Sequence, residues 1–151
     1  MQRLEGRYLH KFLQPISEKW DNAITEESPN LKTVIKRQRR FFDTVVAPFL
    51  KRGEKLVVII SDALRYEAGK ELQERLTAIN RISAEIEAML ATAPTITAIG
   101  MNALLPHDTL SLSESGTVRI NGQAVSGIDA RSAYLSDQVA KRFPGKKAAA
   151  F

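Results

Sequence analysis

Asp62 stands directly after the apolar run Leu56–Ile60 and Ser61, and a helical pattern begins at once beyond it. Roughly 35 residues on, the string PTIT sets Thr95 and Thr97 ahead of a second short helical pattern. A carboxylate at the end of a strand can hold a divalent cation. A hydroxyl at the start of a helix can become a nucleophile where a metal lowers its pKa. Each residue also has a plainer role: Asp62 can cap a helix starting at Ala63, and Thr97 can cap the helix that follows it. An acid at a strand end with a threonine at a helix start is more specific than either alone. Arg65 follows in the first turn, where its forked guanidinium could orient a phosphate or pair with Glu67. SDALRYEAGK lacks a phosphate-cradling glycine loop, and Gly69 alone does not make a dinucleotide fingerprint.

The elements that must position these residues read as α/β. Leu56 to Ile60 do not alternate and are mostly β-branched, which suits a strand over 55–61 buried on both faces of a parallel sheet. Ligands of such sheets gather beyond the carboxyl ends of the strands, where Asp62 sits. Leu64, Ala68, Leu72, Leu76 and Ile79 predict the helix after it. Alternation over 82–91 predicts a further strand. Ala98–Leu105 predicts a short helix stopped by Pro106. TVRI, Asn121-Gly122 and QAV predict a hairpin, and 128–143 a last helix. Ahead of the strand, Leu4, Tyr8, Phe12, Ile16, Trp20 and Ile24 mark a helix over 3–26, with a kink or break at Pro15. EESPN reads as a loop, and a second amphipathic helix covers 31–50, closed by Pro48 and KRGEK. The expected organisation is a helical lead-in over 1–53, an α/β portion over 54–145, and a frayed tail over 146–151.

Composition sets the outer limits. The chain has 151 residues, 44% hydrophobic and 26% charged, without cysteine, so disulfides and thiolate metal sites are excluded. No apolar run reaches the roughly 18 residues that span a membrane, and MQRLEGRYLHKF is not a signal peptide. The expected location is the cytoplasm. Net charge is +5, and all of it resides in residues 1–55, with 12 Lys/Arg against 7 Asp/Glu. KRQRR at 36–40 is its densest part. Lys36, Arg37, Arg39 and Arg40 read either as the solvated face of a helix or as a contact for phosphates.

At VVIISDALRYEAGKEL and APTITAIGMNALLPH the chain resembles the PglZ domain of bacterial BREX phage-exclusion systems, within the alkaline phosphatase superfamily. RQRRFFDTVVAPFLKRGEKL fits the segment that precedes that domain, and the likeness covers roughly residues 35–135. It implies a mixed sheet sandwiched by helices, of which this chain carries the first part. It also implies a site with two divalent metals, usually zinc, and a Ser or Thr nucleophile facing them. By position, Asp62 resembles the first metal-binding aspartate and Thr97 the nucleophile, itself a metal contact, with Thr95 the weaker candidate.

The resemblance is incomplete. The superfamily site needs further Asp and His ligands, yet the histidines here are His10 and His107, and the acids after Thr97 are Asp108, Glu114, Asp129 and Asp137. None forms an Asp-x-His arrangement. The chain therefore reads as the front portion of a metal-dependent phosphoester hydrolase of phage defence. Alone it is expected to bind metal weakly or not at all, to show no meaningful turnover, and either to be only partly stable or to associate with itself. Nucleic acid or nucleotide is the substrate class implied, and other BREX proteins are the partners. The alternative is a non-catalytic module that contacts defence proteins or nucleic acid through the basic helices.

Overall fold

A computed structural model of the chain describes residues 2–27 and 35–151. It divides into two compact units, Met1–Val34 and Ile35–Phe151, so the basic segment 36–52 packs with the second unit.

The first unit is helical from Gln2 to Glu27: α1 (Gln2–Tyr8), a π-helical turn (Leu9–Leu13) and α2 (Gln14–Glu27). Proline explains the wide turn. Pro15 has no N–H, and its ring would crowd the carbonyl four residues back. The helix widens ahead of it, and Gln14 N–H bonds Leu9 O, one residue further than in an α-helix. The break expected at Pro15 is thus a widening. Tyr8 and Phe12 stack at 5.5 Å. Leu4, Tyr8, Phe12, Ile16 and Trp20 are all exposed.

The second unit opens with the same device. A 3₁₀ turn (Gln38–Arg40) leads into a π-helical turn (Phe42–Val46) and α3 (Ala47–Arg52), with Pro48 in its first turn. Pro48 therefore sits inside the helix that it was expected to close. Gly53, at φ 75°, ends it: its N–H reaches Leu50 O, and Glu54 N–H reaches Phe49 O, two bonds that only a left-handed residue permits cheaply. Residues 28–34, with most of the EESPN loop and the start of the helix predicted from 31, lie outside the described residues.

Next come α4 (Tyr66–Thr77), α5 (Thr97–Ala103), three short strands and α6 (Gly127–Arg142). The strands β1 (Leu110–Leu112), β2 (Val118–Ile120) and β3 (Gln123–Ala124) form an antiparallel meander, with Leu110 opposite Ile120 and Ile120 opposite Gln123. Asn121 and Gly122 take φ of 48° and 77°, the backbone of a tight primed turn.

The long helix α6 serves two core clusters. Val139 packs with Phe42 and Ala47, and Tyr134 packs with Ile120 and Val125. The terminal residues also attach to it: Ala148 packs against the first cluster and Ala150 N–H donates to Ser132 Oγ at 3.1 Å.

The chain is mixed helix and strand, as an α/β reading requires. The strands predicted at 55–61 and 82–91 do not form: neither segment joins a ladder among the described residues. A strand exists only by pairing, and the pairing partner of Leu90 is Arg37, in a single parallel bridge. Val57 and Ile59 are 75% and 87% exposed where burial on both faces was expected. The apolar stripe predicted for the helix after Asp62 is open as well: Leu72 on α4 is exposed, as are Leu64 and Ile79, which lie just outside the helix.

Candidate active site

Three segments converge on an open cleft of about 240 Å³. The turn after the apolar run contributes Ser61 and Asp62, the approach to α5 contributes Thr92 and Thr95, and α5 contributes Thr97 and Gly100. Asp62 lies in a tight turn in which Ala63 holds φ of 55°. For a residue with a Cβ that backbone is strained, and it persists only where the surroundings enforce it. Asp62 Oδ1 accepts from Ala63 N–H at 3.0 Å, and α4 starts three residues later, with Arg65 as its N-cap. Asp62 therefore does not cap that helix.

Its second oxygen is turned to Thr97. Thr97 Oγ1 donates to Asp62 Oδ2 at 3.1 Å, across a sequence separation of 35 residues. Thr97 is the first residue of α5, whose N-cap is Ile96, so its hydroxyl is not spent on capping either. Both residues are exposed to solvent. The far side of α5 is anchored by Ile99, Asn102 and Ala103, all buried. The rigid part of this site is thus the helix bearing the hydroxyl. Thr95 lines the cleft beside it.

Arg65 is exposed and does not line the cleft. The basic cluster is partly engaged: Lys36 pairs with Glu87, and Arg40 lies 3.6 Å from Asp43. Arg39 is exposed. His107 Nδ1 lies 2.7 Å from Leu105 O, and His10 Nδ1 lies 3.2 Å from Gln14 Oε1 in the helix of the first unit. Sequence reasoning missed Gln38, which also lines the cleft. Its one signal is that it is the uncharged residue in KRQRR.

As donors for a divalent cation, Asp62 and Thr97 offer one carboxylate and one hydroxyl facing each other. Oxygen donors of this kind suit such an ion, but a catalytic zinc normally takes three protein ligands. Among the described residues no three His, Cys, Asp or Glu gather closely enough to hold a metal. The pair fits as part of a metal site and not as a whole one.

The segment that carries this pair lies within a family match. The family description "BREX system PglZ alkaline phosphatase-like domain" matches residues 41–148. This chain belongs to the PglZ family. It is 32% identical over 136 residues to an alkaline phosphatase-like protein PglZ of Bacillus cereus (strain H3081.97). It is 34% identical over 141 residues to an alkaline phosphatase-like protein BrxZ of Escherichia coli O9:H4 (strain HS). Each match takes in 89% of this chain and 16% of the relative, so the chain spans about a sixth of the length of these PglZ proteins. No solved structure matches it. No helix among the described residues is long and apolar enough to cross a membrane.

Proposed function

We propose that this chain contributes the nucleophile and one metal-binding carboxylate to a phosphoester-hydrolysing site of a BREX phage-defence protein. The observation that carries this reading is the Thr97–Asp62 hydrogen bond at the mouth of the cleft. Two residues picked out by residue type and spacing meet there, inside a segment that matches an alkaline phosphatase-like domain.

Thr97 Oγ1 is the attacking atom. It forms a bond to phosphorus as the ester oxygen leaves, and water later cleaves the Thr97 phosphoester. Asp62 orients the hydroxyl by accepting its hydrogen. Asp62 and Thr97 would together hold a divalent cation, zinc first among them, which when bound lowers the hydroxyl pKa and offsets phosphoryl charge. The remaining ligands come from other parts of a full-length protein, since two oxygens hold zinc poorly. Arg65, beside the turn, reaches the phosphate from solvent. The substrate is a nucleotide or nucleic acid, the partners are other BREX proteins, and the setting is the cytoplasm.

The test is hydrolysis of a chromogenic phosphoester with added zinc, by this chain and by the full-length Bacillus cereus relative. The chain alone is expected to stay at background. In the relative, alanine at the residue aligned with Thr97 is expected to lower kcat by roughly 1,000-fold or more, the scale on which a lost nucleophile is felt. Unchanged turnover in that variant would remove Thr97 from the role. Turnover by the isolated chain, lost in Thr97→Ala, would instead show that no further ligands are needed.

A further inference from the structure

We infer that Gln38 is a positioning residue for the Thr97 hydroxyl. Gln38 holds the segment leading into α5 at two points and α5 itself at a third. Its backbone N–H donates to Leu90 O at 2.9 Å, and Leu90 N–H donates to Lys36 O at 2.8 Å. Its side-chain Oε1 accepts from Thr92 N–H at 3.0 Å. Its Nε2 donates to Gly100 O at 3.4 Å, the longer and weaker arm. Thr95 and Thr97 lie between the two points that the side chain grips.

The grip matters because the segment 91–96 belongs to no helix or strand. Inside it Ile96 N–H bonds Pro94 O at 2.8 Å, whereas the half-buried Thr92 N–H is held from outside, by Gln38. The buried residues of α5 fix the helix, but its first turn faces the cleft. One amide that accepts on the approach and donates to the helix ties the two together. A lysine or arginine at 38, like its neighbours in KRQRR, could donate to Gly100 O but could not accept from Thr92.

The inference depends on the preceding reading only in treating Thr97 as the reacting group, and its test involves no turnover. The probe is NMR of the 151-residue chain, kept at micromolar concentration so that it is followed before it associates. Three signals are followed: exchange of the Thr92 amide, the Thr97 methyl, and the Asp62 side-chain carboxyl carbon. Gln38→Met keeps the length of the side chain and removes both arms. It is expected to speed Thr92 exchange roughly fivefold or more and to shift the Thr97 and Asp62 signals. The methyl signals of Ile120 and Val139 should stay in place, which a merely structural loss would not allow. Gln38→Glu keeps the acceptor and loses the donor, so Thr92 protection should survive while Thr97 shifts by less. If Thr97 and Asp62 do not move in Gln38→Met, the inference fails. Should that variant not fold, Gln38→Glu decides alone: an unmoved Thr97 signal, or core signals that move with it, overturns the inference.

Discussion

Asn121 and Tyr134 show how few side chains organise the hairpin end of the second unit. Asn121 Oδ1 accepts from the N–H groups of Asp108 and Thr109 at 3.0 and 3.1 Å, and its Nδ2 donates to the Tyr134 hydroxyl at 3.1 Å. Tyr134 in turn donates to Pro106 O at 2.9 Å. Asparagine tolerates the left-handed backbone that the turn requires, so one residue makes both the turn and the clamp. Burial pushes the Tyr134 phenol above its ordinary range, against a smaller opposing pull from Arg142. The folded chain therefore holds this proton more tightly than the unfolded chain does. That stability is complete below the ordinary phenol pKa of about 10, and it is lost as pH rises through the folded value. Tyr134→Phe should cost about 1–3 kcal/mol in urea unfolding at pH 8, because it strands Pro106 O and Asn121 Nδ2. The gap between wild type and variant should narrow above about pH 10. A gap that stays constant through the alkaline range would mean that the phenol is not held in this way.

The two π-helical turns are a shared solution at the scale of the element. Each runs for five residues and is followed by one residue and then a proline, Pro15 in one case and Pro48 in the other. In the second unit the wide turn also serves packing. Phe42 and Ala47 are both buried against Val139. Residues five apart on an α-helix diverge by about 140°, whereas a π turn brings them onto one side. Packing thus holds the wide turn as firmly as the proline does. Pro48→Ala should change stability by less than the ~3 kcal/mol propensity difference, while Phe42→Ala should cost about 3–5 kcal/mol. Thermal unfolding of both variants checks this, and a large gain in Pro48→Ala would show that the proline alone imposes the turn. The same elements mark the limit of legibility. Helices α4, α5 and α6 and the Asn121-Gly122 hairpin could be read because their signals are local: apolar spacing, a stop residue, a turn pair. The Asp62–Thr97 pairing could be suspected from residue type and spacing. The strand state of 55–61 could not be read, because it depends on a neighbour that a local pattern does not name. Gln38 could not be picked out, because a glutamine's partners are set wholly by tertiary placement.

At the scale of the whole molecule, the weight falls on what is left uncovered. Val57, Val58, Ile59 and Ile60 are 75%, 43%, 87% and 49% exposed, in a run without proline or glycine. Lys55 and Asp62 are the flanking charges that oppose association. Such a run has strong β-propensity and unpaired backbone groups, and it is a template for pairing with a second copy. The chain is therefore expected to associate as its concentration rises from micromolar towards millimolar, seen by light scattering. Val57→Lys with Ile59→Lys should suppress this association. It should also leave unfolding within about 0.5 kcal/mol of wild type, since neither side chain gives up much burial. A wild-type chain that stays monomeric throughout would refute the expectation. A double variant that unfolds would place the run inside the core, and Asp62 would then close a buried strand.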